Sequence, residues 1–155
     1  MKHILEVRCE MVSVVVLRGQ GTQTQVLLLK RAGQVLAGVW SYVAGHIEAG
    51  ETGWHAARRE LQEETGLLPL AFYATTFCER YYEPADDCVQ LVPAFVARIA
   101  HTTAVRLNGE HSAFRWLSFA AATEAVPFGS QRELFEHVKR EFVDRIPADF
   151  LRIPS

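Results

Sequence analysis

Residues 57–66 read ARRELQEETG, and this segment constrains the chain more than any other. From Thr52 to Thr65 the apolar positions Trp54, Ala57 and Leu61 recur three or four apart, which predicts a helix, and Gly66 stands where a left-handed C-terminal cap belongs. The charge on that helix runs the wrong way. Its last turn carries partial negative charge and favours Lys or Arg, yet it holds Glu63 and Glu64, with Arg58 and Arg59 further back. Glu60, Glu63 and Glu64 share one face, where like charges cost about 0.2 to 0.5 kcal/mol per pair. Arg59 can pair with Glu63 at i, i+4, but Glu60 and Glu64 have no cation four residues away, since Ala56 and Leu68 occupy those places. Their relief must come from elsewhere.

A solvated acidic face is the plain alternative, because exposed charge pairs and repulsions are weak. The preceding loop argues against it. Residues 33–50 carry four glycines (33, 38, 45 and 50) around Trp40 and read as loop with a short strand at 40–43. A glycine-rich backbone lets a phosphate approach, and a hard dication such as Mg2+ takes carboxylates, water and substrate phosphate oxygens as ligands. Clustered glutamates beside such a loop meet both needs.

The rest of the chain supplies a scaffold. With 155 residues, 49% hydrophobic and 22% charged, one globular domain over 1–155 is expected. The runs at 9–18 and 25–31 flank GQGTQT and read as a hairpin. Residues 73–82 and 88–100 predict two strands joined by EPADD, with Pro93 marking a bulge or an edge position. A short strand at 114–119 follows. Ser130 and Glu133 form a capping box before Leu134, Phe135, Val138, Phe142 and Ile146, which share one helical face, and the tail from Pro147 reads as loosely held. The net charge of -2 gives no basic footprint for a nucleic-acid duplex. No apolar run near the start is long enough to span a bilayer and no signal peptide is visible, so the expectation is a cytoplasmic protein without a membrane partner. Cys9, Cys78 and Cys88 form no CxxC pair and read as reduced, packed thiols. The histidines lack a helical zinc pair; His55 and His137 read as surface, His46 and His111 as site-edge residues. Tyr81, Tyr82 and Trp116 read as strand packing rather than a stacking platform.

From Gly45 the sequence GHIEAGETGWHAARRELQEETGL resembles the box of the Nudix hydrolase family, with Gly45, Glu51, Arg59, Glu60, Leu61, Glu63, Glu64, Gly66 and Leu67 in every fixed place. At average composition a chance match is about one in 10^8 per starting point. The resemblance implies an α/β/α sandwich around a mixed sheet, with a catalytic loop-helix-loop. It also implies hydrolysis of a nucleoside diphosphate linked to another group, with Mg2+, or Mn2+ in its place, holding the pyrophosphate. By position Glu60 and Glu64 would be the principal metal ligands and Glu63 a further ligand or the base. Arg59 would orient the site by pairing with Glu51, Gly45 would allow the loop's tight path, and Gly66 would cap the helix. Glu110, before a strand, matches a place where several members put an extra acidic ligand or base, with a solvated loop glutamate as the alternative. Arg31, ending the second strand, is a candidate for a substrate phosphate or else a surface charge. His46 departs from the second glycine that many triphosphatases carry.

Residues 109–117 through 130–138 resemble the dihydroneopterin triphosphate pyrophosphatase branch and MutT-like enzymes. The expected substrate is a (deoxy)nucleoside or pterin triphosphate, cleaved to monophosphate and pyrophosphate, by a monomer or homodimer. ADP-ribose or dinucleoside polyphosphate hydrolysis, a non-catalytic nucleotide sensor, and an inert protein with an acidic partner surface are the alternatives.

Overall fold

The computed structural model describes residues 1–155. Three strands open the chain, β1 (Glu6–Arg8), β2 (Met11–Arg18) and β3 (Gln25–Arg31). β2 and β3 form the expected hairpin only at its turn, where Leu17 pairs with Val26 and Arg18 with Gln25. Beyond that the two strands part. The gap is filled by β4 (Trp40–Ser41), antiparallel to β3, and β5 (Val43–His46), antiparallel to β2. Tyr42 is the residue at which the chain changes partner. This splayed hairpin positions everything described below.

Helix α1 (Gly53–Thr65) follows, then the long strands β6 (Ala71–Glu83) and β7 (Cys88–Arg98), antiparallel to each other. β7 runs parallel to β1 along its first half and to β2 along its second. Pro93 falls between those two pairings, so its missing N–H interrupts neither ladder. Opposite it, β6 shifts register between Ala74 and Cys78, and Thr75 Oγ1 donates to the Ala94 carbonyl at 2.7 Å across the irregularity. The expected bulge therefore lies on the partner strand. β8 (His111–Leu117) pairs antiparallel with the outer edge of β3. Helices α2 (Phe119–Ala125) and α3 (Gly129–Val138) come next, and β9 (Arg152–Ile153) closes on β6.

The mixed sheet has a hydrophobic core on each face. Val12, Val14, Val16, Leu27 and Leu29 pack with Ala56, Ala57 and Leu61 of α1, while Val15, Leu17, Val26 and Leu28 pack with Ala122, Leu134, Phe135 and Val138 of α2 and α3. Because both faces are covered, the strands read as unbroken aliphatic runs instead of alternating ones. The layers are the α/β/α sandwich that the box implied.

Four local expectations are corrected. Ser130 is not the helix N-cap; the cap lies two residues earlier at Phe128, whose N–H donates to Gln131 Oε1, and Ser130 is occupied elsewhere. The α-helix ends at Val138 in a π turn (Lys139–Val143), which rotates the face, so Phe142 stays buried and Ile146 is exposed. The tail is held, since Arg152 and Ile153 add a strand and Arg58 donates to the Pro154 carbonyl at 3.1 Å. Of the three thiols only Cys88 is buried, because Cys9 and Cys78 stand at the periphery of the β1–β7–β6 end of the sheet. The Ala-rich segment that becomes α2 carried too few periodic apolar positions to be read as a helix.

Candidate active site

The α1 helix is fixed at both ends by its own sequence. Thr52 Oγ1 accepts from the His55 N–H at 3.2 Å, and Gly66 takes a left-handed conformation (φ 71°) while its N–H reaches the Gln62 carbonyl. Along its inner face Ala56, Ala57 and Leu61 anchor it to β2 and β5, which presents the glutamates at the open end of the splayed hairpin. Gly45 lies within β5, not in a tight loop. A Cβ there would overlap the Glu60 carboxyl, so glycine is needed to make room for an acid rather than for a special backbone path.

Arg59 is the hub of the charged surface. Its Nε and Nη2 donate to the two oxygens of Glu51 at 2.7 and 3.0 Å, a bidentate fork, and Nη2 also donates to the His46 carbonyl at 2.9 Å. Nη1 donates to Glu60 at 2.9 Å and to Glu63 at 3.1 Å. The two alternatives for Arg59, Glu51 or Glu63, are both realised. Glu60, which sequence spacing left without a cation, is relieved by its immediate neighbour, because the arginine fork reaches sideways as well as along the helix. The Arg59 fork first, and the Glu48 N–H second, pull the Glu51 carboxyl down to about 2. The same acids hold the guanidinium charged.

Glu64 has no such partner. It is 1% exposed, and its Oε2 is buried without a hydrogen bond. Burial, then the adjoining Glu60 carboxyl, then Glu110, push its carboxyl well above the ordinary carboxylate range, with Arg31 opposing them. The β8 start brings Glu110 and His111 to it: one ligand atom from each of Glu64, Glu110 and His111 lies within 4.8 Å of the others, and His111 Nε2 is 3.5 Å from Glu64 Oε1. His111 is itself buried with Nδ1 unpartnered, and burial followed by the nearby Arg31 charge lowers its pKa, which favours the neutral ring. A buried acid and a buried imidazole, each with an unpartnered polar atom, stand together there, so this cluster could hold a cation.

The expected residues thus divide. Glu64 and Glu110 converge with His111; Glu60 adjoins Glu64 while its Oε1 is held by Arg59, and Glu63 is half exposed and tied to Arg59, at the rim. Arg31 is held near the cluster by pairing with His111 in the sheet, and its Nε donates to the Val35 carbonyl. His46 is exposed and contributes its backbone carbonyl, and His55 is exposed beside the cap, whereas His137 is half-buried against Phe77. His111, read from the sequence as a site-edge residue, stands in the cluster itself.

One feature was missed. A cavity of about 520 Å3 opens on the α3 face, with Tyr42, Glu79, Tyr81, Tyr82, Phe128 and Ser130 among its walls. Tyr81 and Tyr82 are 39% and 50% exposed, so they are cavity wall rather than packing, while Trp116 packs against the core as expected. Ala44 lines this cavity and the next residue, Gly45, faces Glu60. Adjacent positions of one short strand therefore serve both places.

Residues 8–145 match the family model described as the NUDIX domain. Among curated proteins, an octanoyltransferase of Myxococcus xanthus is 39% identical over 123 residues, covering 79% of this chain and 34% of that protein. The asymmetrical bis(5'-nucleosyl)-tetraphosphatase of Sus scrofa is 28% identical, covering 63% of this chain and 67% of its own length. This chain spans about a third of the Myxococcus relative. Among solved structures, a Caenorhabditis elegans Ap4A hydrolase in a binary complex superposes with a TM-score of 0.73 at 21% identity, covering 86% of this chain and 96% of the other, a likeness of fold. The family model spans most of the sequence and includes the whole box and Glu110, so this chain belongs to the Nudix family.

Proposed function

We propose that the chain, acting as a single domain over 1–155, hydrolyses the phosphoric anhydride of a nucleoside diphosphate linked to a further group. Within that class the reading is a (deoxy)nucleoside or pterin triphosphate, converted to monophosphate and pyrophosphate with Mg2+, or Mn2+ in its place. The observation that carries it is the buried, unpartnered Oε2 of Glu64 in a cluster with Glu110 and His111, with Glu60 adjoining. Leaving a buried carboxyl oxygen unsatisfied costs on the order of 1–3 kcal/mol, which a bound cation removes.

The donor set fits a hard dication. Three carboxylates suit Mg2+, and one imidazole nitrogen is well tolerated by Mn2+. By their places in the box Glu60 and Glu64 would be the principal ligands; Glu110 and His111 cluster with Glu64, and Glu60 adjoins it. When bound, the ion supplies positive charge to the phosphoryl oxygens and makes an attacking water more acidic. The chain does the rest. Arg59 and Glu51 lock the helix to the preceding loop, so that Glu60 is held in the space left by Gly45. Glu63 or Glu110 accepts the proton of the attacking water, Glu63 having a free oxygen at the rim and Glu110 being exposed. Arg31 offsets the negative charge that builds on the departing phosphate.

A dinucleoside polyphosphate is the second substrate reading, favoured by the similarity to the porcine tetraphosphatase. Incubation of the protein with Mg2+ and a nucleotide panel in 18O-labelled water, with product identification, separates the readings. Pyrophosphate release from triphosphates supports the first, a mononucleotide plus a triphosphate from a dinucleoside tetraphosphate the second, and the absence of any phosphate release across the panel rejects both.

A further inference from the structure

We propose that the α3-face cavity is the substrate's ring site, and that Glu79 reads there a planar heterocycle offering two adjacent N–H donors, as a 2-amino-4-oxo ring edge does; this rests on the anhydride hydrolysis proposed above. Glu79 is 7% exposed on β6. Tyr42 OH donates to its Oε1 at 2.5 Å and Ser130 Oγ to its Oε2 at 2.5 Å. The two donors come from different elements, the residue at the β4–β5 switch and α3, so the carboxylate is held by the fold rather than by its neighbours in sequence. A carboxylate oxygen accepts two hydrogen bonds, and one hydroxyl on each leaves one acceptor position per oxygen, side by side. That is the complement of a fork of two N–H groups, the arrangement that makes carboxylates bind guanidinium-like edges bidentately.

The walls agree with this reading. Tyr81, Tyr82 and Phe128 expose 39%, 50% and 47% of their surface, enough aromatic face for a ring to stack on. The lining includes a second acid, Glu83, and no lysine, arginine or histidine, so the cavity repels phosphate and favours a donor-rich group. The phosphates belong instead on the other side of β5, where Gly45 adjoins Glu60 and Arg31 stands near Glu64. A ring on Ala44's side and an anhydride on Gly45's side of the same strand divide one substrate between the two places.

Calorimetric binding of GMP, IMP and AMP without metal reads the cavity apart from hydrolysis. IMP lacks the 2-amino group and AMP offers one donor beside an acceptor, so GMP is expected to bind at least tenfold more tightly than either. In Glu79→Gln the GMP advantage over IMP should shrink to less than threefold, with the thermal midpoint followed to confirm folding. Glu79→Asp, which keeps the charge but withdraws the carboxylate from the ring edge, should likewise shrink the preference and serves if Glu79→Gln does not fold. Neopterin monophosphate shares the ring edge; tight binding of either it or GMP relative to IMP supports the assignment and the tighter one names the source. Equal affinity for GMP and IMP, no binding of any ring, or a preference that survives Glu79→Gln overturns it. If the GMP preference holds while no phosphate is ever released, the hydrolysis reading fails and the ring site stands.

Discussion

Arg59 and Glu64 lie five positions apart on one helix and face opposite electrostatic situations. Around Arg59, one guanidinium serves three carboxylates and a carbonyl, and each acid there has a donor. Around Glu64, a carboxyl is buried beside two other acids, with an oxygen unpartnered and a neutral imidazole at 3.5 Å. The difference teaches that the crowding of glutamates is two arrangements. One is neutralised by the chain and stiffens the site; the other is left without a charge partner from the chain, and is the place the proposed function assigns to a cation.

The contrast can be broken most forcefully at Glu64. Glu64→Gln should lower metal-dependent turnover by about 10^2 to 10^3, the scale for removing an electrostatic catalytic group, and should abolish any rise of Tm on adding Mg2+. An undiminished rise would move the ion elsewhere. Arg59→Ala attacks the other arrangement and should destabilise the metal-free protein by about 2 kcal/mol in urea unfolding, less than a fully buried pair because the network is partly exposed. Equal stability with and without Arg59 would reduce the hub to surface decoration. Gly45→Ala sharpens the boundary between the two. The added methyl meets the Glu60 side chain, which must swing away, so turnover should fall about tenfold with a stability change of about 1 kcal/mol or less. A larger loss of stability than of activity would mean that β5, not Glu60, had moved.

The smallest effect is on acid stability. The Glu51 carboxyl is held down to about 2, below its ordinary 4.5, so it contributes stability that is present above about 4.5 and is lost as pH falls from there toward 2. Glu51→Gln should flatten that part of the Tm-against-pH curve, while leaving the slope above pH 5 unchanged; parallel curves for the two proteins would show that the pair adds nothing to folding.

Much of this was legible because it is local. The bounds of α1 follow from Thr52, the spacing of Trp54, Ala57 and Leu61, and Gly66, all within one stretch of chain. The pairing of Arg59 with Glu51 is a short-range contact across one loop, and the strands declared themselves by continuous aliphatic runs. His111 was harder, since a lone histidine has no period, and only the antiparallel register of β8 on β3 carries it to Glu64. Ser130 misled because a serine three residues before a glutamate satisfies the capping rule as well as any cap, yet Glu79, 51 positions away, is the better acceptor for its hydroxyl.

By itself the sequence determined that a helix would form at 53–65, where it would stop, and that its acids would be short of positive charge, because propensity, capping and charge spacing act within a few residues. Only the tertiary structure decided which acid went without a partner and what stood next to it. That choice depends on how far β2 and β3 part and on where β8 and α3 come to rest, and burial of Glu64 or Glu79 is a property of what packs over them from distant parts of the chain.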